Sequence, residues 1–215
     1  MPLENLKSIE VRFDNICNLM CRHCSPDYSS VWETEVKRNP VLNKKMIELK
    51  TYRKQDEHVL LNDKTINEIG QLSDNLVEVM IAGGEPLYHD KHYKFIESLL
   101  PNADKIMLSY NSNLTRLEYK GKNILDLWKN FRRVLLRVSI DGEPGCYSYV
   151  RVHNDLAKVE KHIAQVIELP NTKVNATCTT SLLNITRLTK IVEYFLSLGA
   201  YFHTSLVQYP RALNP

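Results

Sequence analysis

The chain has 215 residues, 43% of them apolar, enough for one domain with a sizeable core. Charged residues make up 25% and the formal net charge is +3, which gives no electrostatic case for nucleic acid or an anionic membrane surface as partner. No apolar run reaches membrane-spanning length, and the opening MPLENLKSIEVRF lacks the apolar block of a signal peptide; the expected location is the cytoplasm, where thiols stay reduced.

The first strand-like run is 7–14 (KSIEVRFD). Behind it stand Cys17, Cys21 and Cys24 in ICNLMCRHCSP, three of the five cysteines, at C-x3-C-x2-C spacing. An odd count and tight clustering in a reducing compartment point to metal binding and not to a disulfide framework. Segment 28–61 follows, with seven Lys/Arg and five Asp/Glu within 31–58. It reads as a solvated surface insertion with a helix over 43–54; a lid over the mouth of the site is the functional alternative. Ile66, Ile69 and Leu72 then mark a helix capped by Asn62 or Asp63.

The second run, 76–82 (LVEVMIA), leads into GGEP at 83–86, and Tyr93, Ile96 and Leu100 mark the next helix. The third run, 105–110 (KIMLSY), leads into NSNLT at 111–115. A short link, 124–131, precedes the fourth run, 134–140 (VLLRVSI), at whose end lie Ser139, Asp141 and Gly142. Leu156, Val159, Ile163 and Val166 form one apolar stripe before the fifth run, 173–179 (KVNATCT). Leu188, Ile191, Val192, Phe195 and Leu196 form another, with Asn184 as N-cap and Gly199 as stop, before the sixth run, 201–207 (YFHTSLV).

Alternating strand and helix implies parallel strands with helices packed outside. Six such units suit an α/β fold of the partial (β/α)6 barrel type, with a Rossmann-like sheet as competitor. In either, the site forms at the C-terminal ends of the strands. The cysteines, GGEP, NSNLT and Ser139–Asp141–Gly142 all follow strand-like runs, so they are expected to converge on one face. No G-x-G-x-x-G follows the first run, which removes support for a Rossmann nucleotide site.

Thiolates suit zinc, copper(I) and iron–sulfur clusters. A zinc site needs a fourth ligand, from His23 or a distant cysteine; Cys178 lies within a strand run and reads as a small buried apolar residue, whereas Cys146 follows the fourth run. A cluster held by three thiolates instead leaves one iron open for a substrate or cofactor.

CNLMCRHC resembles the cluster motif of the radical S-adenosylmethionine (SAM) enzymes. Asp14 and Asn18 around Cys17 resemble the D-x-x-C-N start of the subgroup with SPASM or twitch C-terminal domains. GGEP resembles that superfamily's second-strand motif, SNLT (112–115) a variant of its T-N-G-T third-strand motif, and SIDG (139–142) its fourth-strand S-x-D-G. The resemblance covers nearly the whole chain. It implies a [4Fe–4S] cluster on Cys17, Cys21 and Cys24, and SAM held by His23, Gly83, Gly84, Glu85, Asn113, Ser139, Asp141 and Arg151. In it the Gly83–Gly84 backbone and Glu85 meet the SAM ammonium, and Asn113, Ser139 and Asp141 meet the ribose and methionine groups. Arg151, in Tyr149-Val150-Arg151, lies where related sequences carry Tyr-Arg and would pair with the SAM carboxylate.

Two departures stand out. His23 replaces the usual aromatic that lies against adenine, and Leu114 stands where Gly is usual. The implied activity is reductive cleavage of SAM to a 5′-deoxyadenosyl radical that takes a hydrogen atom from a substrate. That substrate is expected to be a peptide, protein or peptide-derived precursor, with a small molecule left open, and a flavodoxin or ferredoxin is the expected electron donor. The chain ends at Pro215 without a sixth helix or a further cysteine group, so the expectation is a 1–215 core, a fragment lacking an auxiliary C-terminal domain. The alternative from a different class is a zinc-binding α/β interaction module without SAM chemistry.

Overall fold

In the computed structural model, which describes residues 5–48, 63–208 and 210–215, every strand-like run becomes a strand of one parallel sheet. In chain order the elements are β1 (Ser8–Arg12), β2 (Met20–Cys21), α1 (Ser30–Arg38), α2 (Pro40–Glu48), α3 (Asp63–Gln71), β3 (Glu78–Ala82), α4 (Asp90–Leu99), β4 (Met107–Ser112), β5 (Glu118–Tyr119) and β6 (Lys122–Asn123). Then come α5 (Ile124–Trp128), β7 (Arg133–Ser139), α6 (Tyr147–Val150), β8 (Arg151–Val152), α7 (Leu156–Ile167), β9 (Thr172–Thr180), α8 (Leu188–Ser197) and β10 (Tyr201–Leu206). The sheet order is β1-β3-β4-β7-β9-β10 with every pairing parallel, an open partial barrel. Parallel neighbours need crossovers, and the helices supply them.

The core follows from side-chain period. In β7, Val134, Leu136 and Val138 are buried while the alternate positions are not. In α7, Leu156, Val159, Ile163 and Val166 are buried, and the Asp155 side chain caps the helix by accepting from Lys158 N. Trp128, Tyr110, Tyr147, Phe95 and Phe195 are the largest fully buried side chains.

Several expectations are corrected. Leu100 lies past α4 in a 3₁₀ turn and is 36% exposed; Leu99 fills the core place instead. In α8 only Ile191 and Phe195 are buried and Leu196 is exposed, because this helix packs on β10 at the sheet's edge and covers it with one narrow face. Asn184 does not cap α8. It is buried, accepts from Ser181 N at 2.8 Å and donates to Asp141 O at 2.9 Å and Thr179 O at 3.0 Å. The helix expected over 43–54 begins earlier, as α2 at Pro40, and residues 49–54 of that expectation lie outside the described residues, as does Asn62. Helix α1 and the antiparallel β2–β8 pair, Met20 with Val152 and Cys21 with Arg151, have no counterpart in the sequence pattern. Among the described residues no helix is long and apolar enough to cross a membrane.

Leu114, just past β4, has φ 50 and is fully buried. The departure from glycine therefore keeps glycine's backbone shape, at a steric cost of about 1–2 kcal/mol, and adds a core side chain. Removing a buried leucine costs about 2–5 kcal/mol, so burial outweighs strain. Leu114→Gly is expected to lower stability by about 2 kcal/mol in denaturant unfolding; a gain would show that strain dominates.

Candidate active site

Backbone hydrogen bonds hold the cysteine loop. Gly84 N donates to Asp14 O at 2.9 Å and Glu85 N to Ile16 O at 2.7 Å, so the GGEP loop runs as an extra rung against the chain entering Cys17. A Cβ on Gly84 would lie 2.3 Å from Ile16 O and 2.7 Å from Asn15 O. Gly83 has φ 124, a conformation natural to glycine. The close approach that the glycines permit is thus first to the protein's own backbone.

Helix α1 closes the other side. Ser30 Oγ accepts from Cys17 N at 3.2 Å and donates to Cys17 O at 3.1 Å. Ser29 Oγ donates to Leu19 O at 2.6 Å, and Trp32 Nε1 donates to Cys21 O at 2.8 Å. The start of the 28–61 segment is therefore the back wall of the cysteine loop, not free surface. Ser29 is also the N-cap of α1, its Oγ accepting from Trp32 N at 3.3 Å.

These loops surround a cavity of about 480 Å³ at the C-terminal ends of the strands. Cys17, Cys21 and Cys24 line it together with His23, Gly83, Gly84, Glu85, Asn113, Ser139 and Arg151. Asp141 does not. It is fully buried, its Oδ1 accepts from Thr179 N at 2.6 Å, and its Oδ2 lies 2.6 Å from Arg151 Nε and 3.2 Å from His23 Nε2. It anchors two cavity side chains. Arg151 is likewise committed, to Asp141 through Nε and to the Cys21 sulfur through Nη1 at 3.7 Å.

Asn18 and Thr115 complete the third-strand corner. Asn113 Nδ2 donates to Asn18 Oδ1 at 3.0 Å, Asn18 Nδ2 donates to Thr115 Oγ1 at 3.1 Å, and Asn113 Oδ1 accepts from Thr115 N and Oγ1. Asp27, Tyr28 and Pro210 also line the cavity and carry no motif that marks them in the sequence. Cys146 and Cys178 are buried and are not among the lining residues; Cys146 Sγ meets Leu183 O, and Cys178 Sγ accepts from Asn184 Nδ2.

Burial governs the charges. It pushes the Cys17 and Cys24 thiols up to about 12, and the Cys21 thiol is raised by burial against the pull of Arg151. Metal binding must displace these protons. Among the described residues no group of three or more His, Cys, Asp or Glu is placed to hold a single metal ion; the three thiols are spread around one cavity. A zinc ion collects every ligand on one atom, whereas an iron–sulfur cluster offers a separate iron to each thiolate, so the donor set fits a cluster better.

The radical SAM superfamily model matches residues 11–168. The chain belongs to this superfamily. Its enzymes use a [4Fe–4S] cluster and SAM, in agreement with the cofactors implied by the motifs. The fold is similar to that of native anSMEcpe with bound AdoMet, with a TM-score of 0.65 and 17% identity over 95% of this chain and 52% of that one. It is also similar to native anSMEcpe with bound AdoMet and Kp18Cys peptide (TM-score 0.63, 17% identity, 94% and 52% covered). Streptococcus suis SuiB bound to S-adenosylmethionine gives a TM-score of 0.65 at 11% identity, with 98% and 43% covered. At such identities the likeness concerns the fold alone, and the chain spans about half the length of these proteins. No curated protein sequence is significantly similar to the chain.

Two outcomes test the site's construction. Gly84→Ala drives a methyl into backbone and is expected to reduce stability by about 1–3 kcal/mol and to lower the iron retained after reconstitution. Glu85, fully buried, accepts from Ser112 Oγ, Asn113 N and Leu87 N, yet burial pushes its carboxyl from an ordinary 4.5 up to about 7. The folded chain then keeps a proton that the unfolded chain has released, so this group's contribution is complete below pH 4.5 and lost as pH rises through 7. Between pH 5 and 8 the metal-free protein should lose more stability than Glu85→Gln, by a few kcal/mol on the order-of-magnitude scale, in parallel denaturant titrations. Equal slopes would remove Glu85 as the titrating group.

Proposed function

We propose that this chain is the SAM-cleaving core of a radical enzyme that acts on a peptide or protein. The observation that carries this reading is a single cavity lined by the three thiols and by the ends of β3, β4 and β7. When bound, the cluster and SAM supply one-electron cleavage to methionine and a 5′-deoxyadenosyl radical, which takes a hydrogen atom from the substrate.

The chain's own residues bind, orient and shield. Cys17, Cys21 and Cys24 would hold three irons as thiolates. Gly83 and Gly84 present backbone, and Glu85 presents a carboxylate suited to an ammonium group. Asn113 and Ser139 would serve polar groups of SAM, and His23, planar and with Nε2 3.2 Å from Asp141 Oδ2, would stack on adenine. Asp141 serves as anchor for His23 and Arg151. Helix α1 and the GGEP rung cover the cysteine loop from behind, so the thiols face the cavity. No protein general base is needed for hydrogen-atom transfer.

The peptide reading is supported by the peptide in the anSMEcpe complex, which shares this fold. The chain's share of its structural relatives' length supports a core within a longer protein, and the D-x-x-C-N start supports a SPASM or twitch partner domain for it. A flavodoxin- or ferredoxin-type reductant, a cytoplasmic location and a lack of nucleic-acid or membrane binding belong to the same reading.

Anaerobic reconstitution with iron and sulfide tests it. The expected result is about four irons per chain, a visible band bleached by dithionite, and 5′-deoxyadenosine released from SAM. Cys17→Ala, Cys21→Ala and Cys24→Ala should each abolish cluster and cleavage, while Cys178→Ala should leave both. One zinc per chain with no response to SAM would replace this reading with a zinc-binding module.

A further inference from the structure

The three cysteine sulfurs keep different company. Cys17 Sγ accepts from Leu19 N at 3.5 Å and from Asn113 Nδ2 at 3.9 Å. Cys21 Sγ accepts from Arg151 Nη1 at 3.7 Å. At Cys24 the thiol instead meets the Ser25 carbonyl at 3.7 Å. Two side chains expected to serve SAM therefore point N–H groups at two sulfurs, from β8 on one side and from the end of β4 on the other.

Neither contact can be inverted by reorienting a side chain. The Asn113 amide oxygen accepts from Thr115 N, a backbone group that can only donate, so the nitrogen must face Cys17. A guanidinium has donors only. Arg151 is 7% exposed, pinned through Nε by Asp141 and paired with Cys21 in the β2–β8 register. Asp141 is itself held by Thr179 N and lies beside His23.

We propose that Asn113 and Arg151 are positioning residues for the cluster ligands, orienting the Cys17 and Cys21 sulfurs and raising the cluster's reduction potential through N–H···S hydrogen bonds. The inference rests on the cluster reading above. Donors to cluster sulfur, and a nearby positive charge, favour the more electron-rich reduced state. The asymmetry is part of the proposal: Cys17 and Cys21 carry the tuning and Cys24 does not.

The test is an EPR-monitored redox titration of the reconstituted full chain without SAM, with iron content and SAM cleavage read on the same samples. Asn113→Asp keeps size and the Thr115 contacts while replacing the donor by an anion. Asp141→Asn with Arg151→Gln removes the donor charge without leaving a lone buried carboxylate. Each is expected to lower the reduced-to-oxidised ratio at fixed potential about tenfold, equivalent to about 59 mV for one electron. Arg151→Lys, which keeps the charge, should recover most of that, and Lys173→Gln, at the start of β9, should shift nothing. Unchanged midpoints in cluster-replete Asn113→Asp and in the double variant overturn the proposal. Loss of cluster from these and from Arg151→Lys also overturns it, because the residues then serve loop assembly alone. A wild-type cluster that cleaves SAM leaves the enzyme reading standing when this inference fails; a wild-type chain without a cluster removes both.

Discussion

Two backbone hydrogen bonds, from Gly84 to Asp14 and from Glu85 to Ile16, set where everything else in the site can stand. They bind the loop after the second sheet strand to the chain entering the first cysteine, at a separation that leaves no room for a Cβ. From that rung Glu85 reaches Ser112 and the Asn113 amide, Asn113 reaches Asn18, and Asn18 lies beside Cys17. The connections close a ring through two strand ends and the cysteine loop. Glu85, Ser112 and Asn113 are buried and their side-chain polar atoms are all paired, which is the condition for such a network to add rigidity and not cost stability.

A second device works by charge. Arg151 and Asp141 are both buried, and a buried ion pair rarely adds net stability over apolar packing. Here the pair joins strand ends: Asp141 follows β7, Arg151 begins β8, and Thr179, whose amide Asp141 accepts, lies in β9. Its role is placement. The guanidinium sits at one height beside Cys21 because the carboxylate, the β2–β8 pairing and the amide leave it no alternative. Tyr147, one turn before, is fully buried.

The strand frame was open to sequence reading because period alone determines it. Val134, Leu136 and Val138 alternate, and the chemistry-bearing residues follow the runs as a parallel sheet requires. The motifs carried the family and ten of the eleven proposed site residues to one cavity. The errors have physical causes. Leu100 and Leu196 match a helical stripe in the sequence, but where each helix ends or meets an edge strand the stripe has nothing to cover. Asn184 reads as a cap because polar side chains before a helix usually are caps. Only tertiary contacts show that it holds the loop of Asp141 instead. The charge count across 28–61 concealed α1, since one buried valine and four side-chain hydrogen bonds to the cysteine loop barely alter composition. The approach of Gly84 to Asn15 and Ile16 has no mark in the sequence, because which backbone comes near a glycine is a tertiary fact.

The pairing of Cys21 with Arg151 spans 130 residues. During synthesis the three thiols emerge early, followed by GGEP and then SNLT, and the guanidinium comes only after four strands of the sheet exist. Contacts of such separation form late, after the loop-closure entropy has been met by the sheet. Until then the thiols form a flexible, solvent-open group with the usual reactivity of exposed cysteine. The chain therefore has an interval in which the same three residues are vulnerable to oxidation, and it ends when β8 lies down beside β2. The time order of folding, as much as the final geometry, governs when this loop is fit to receive iron.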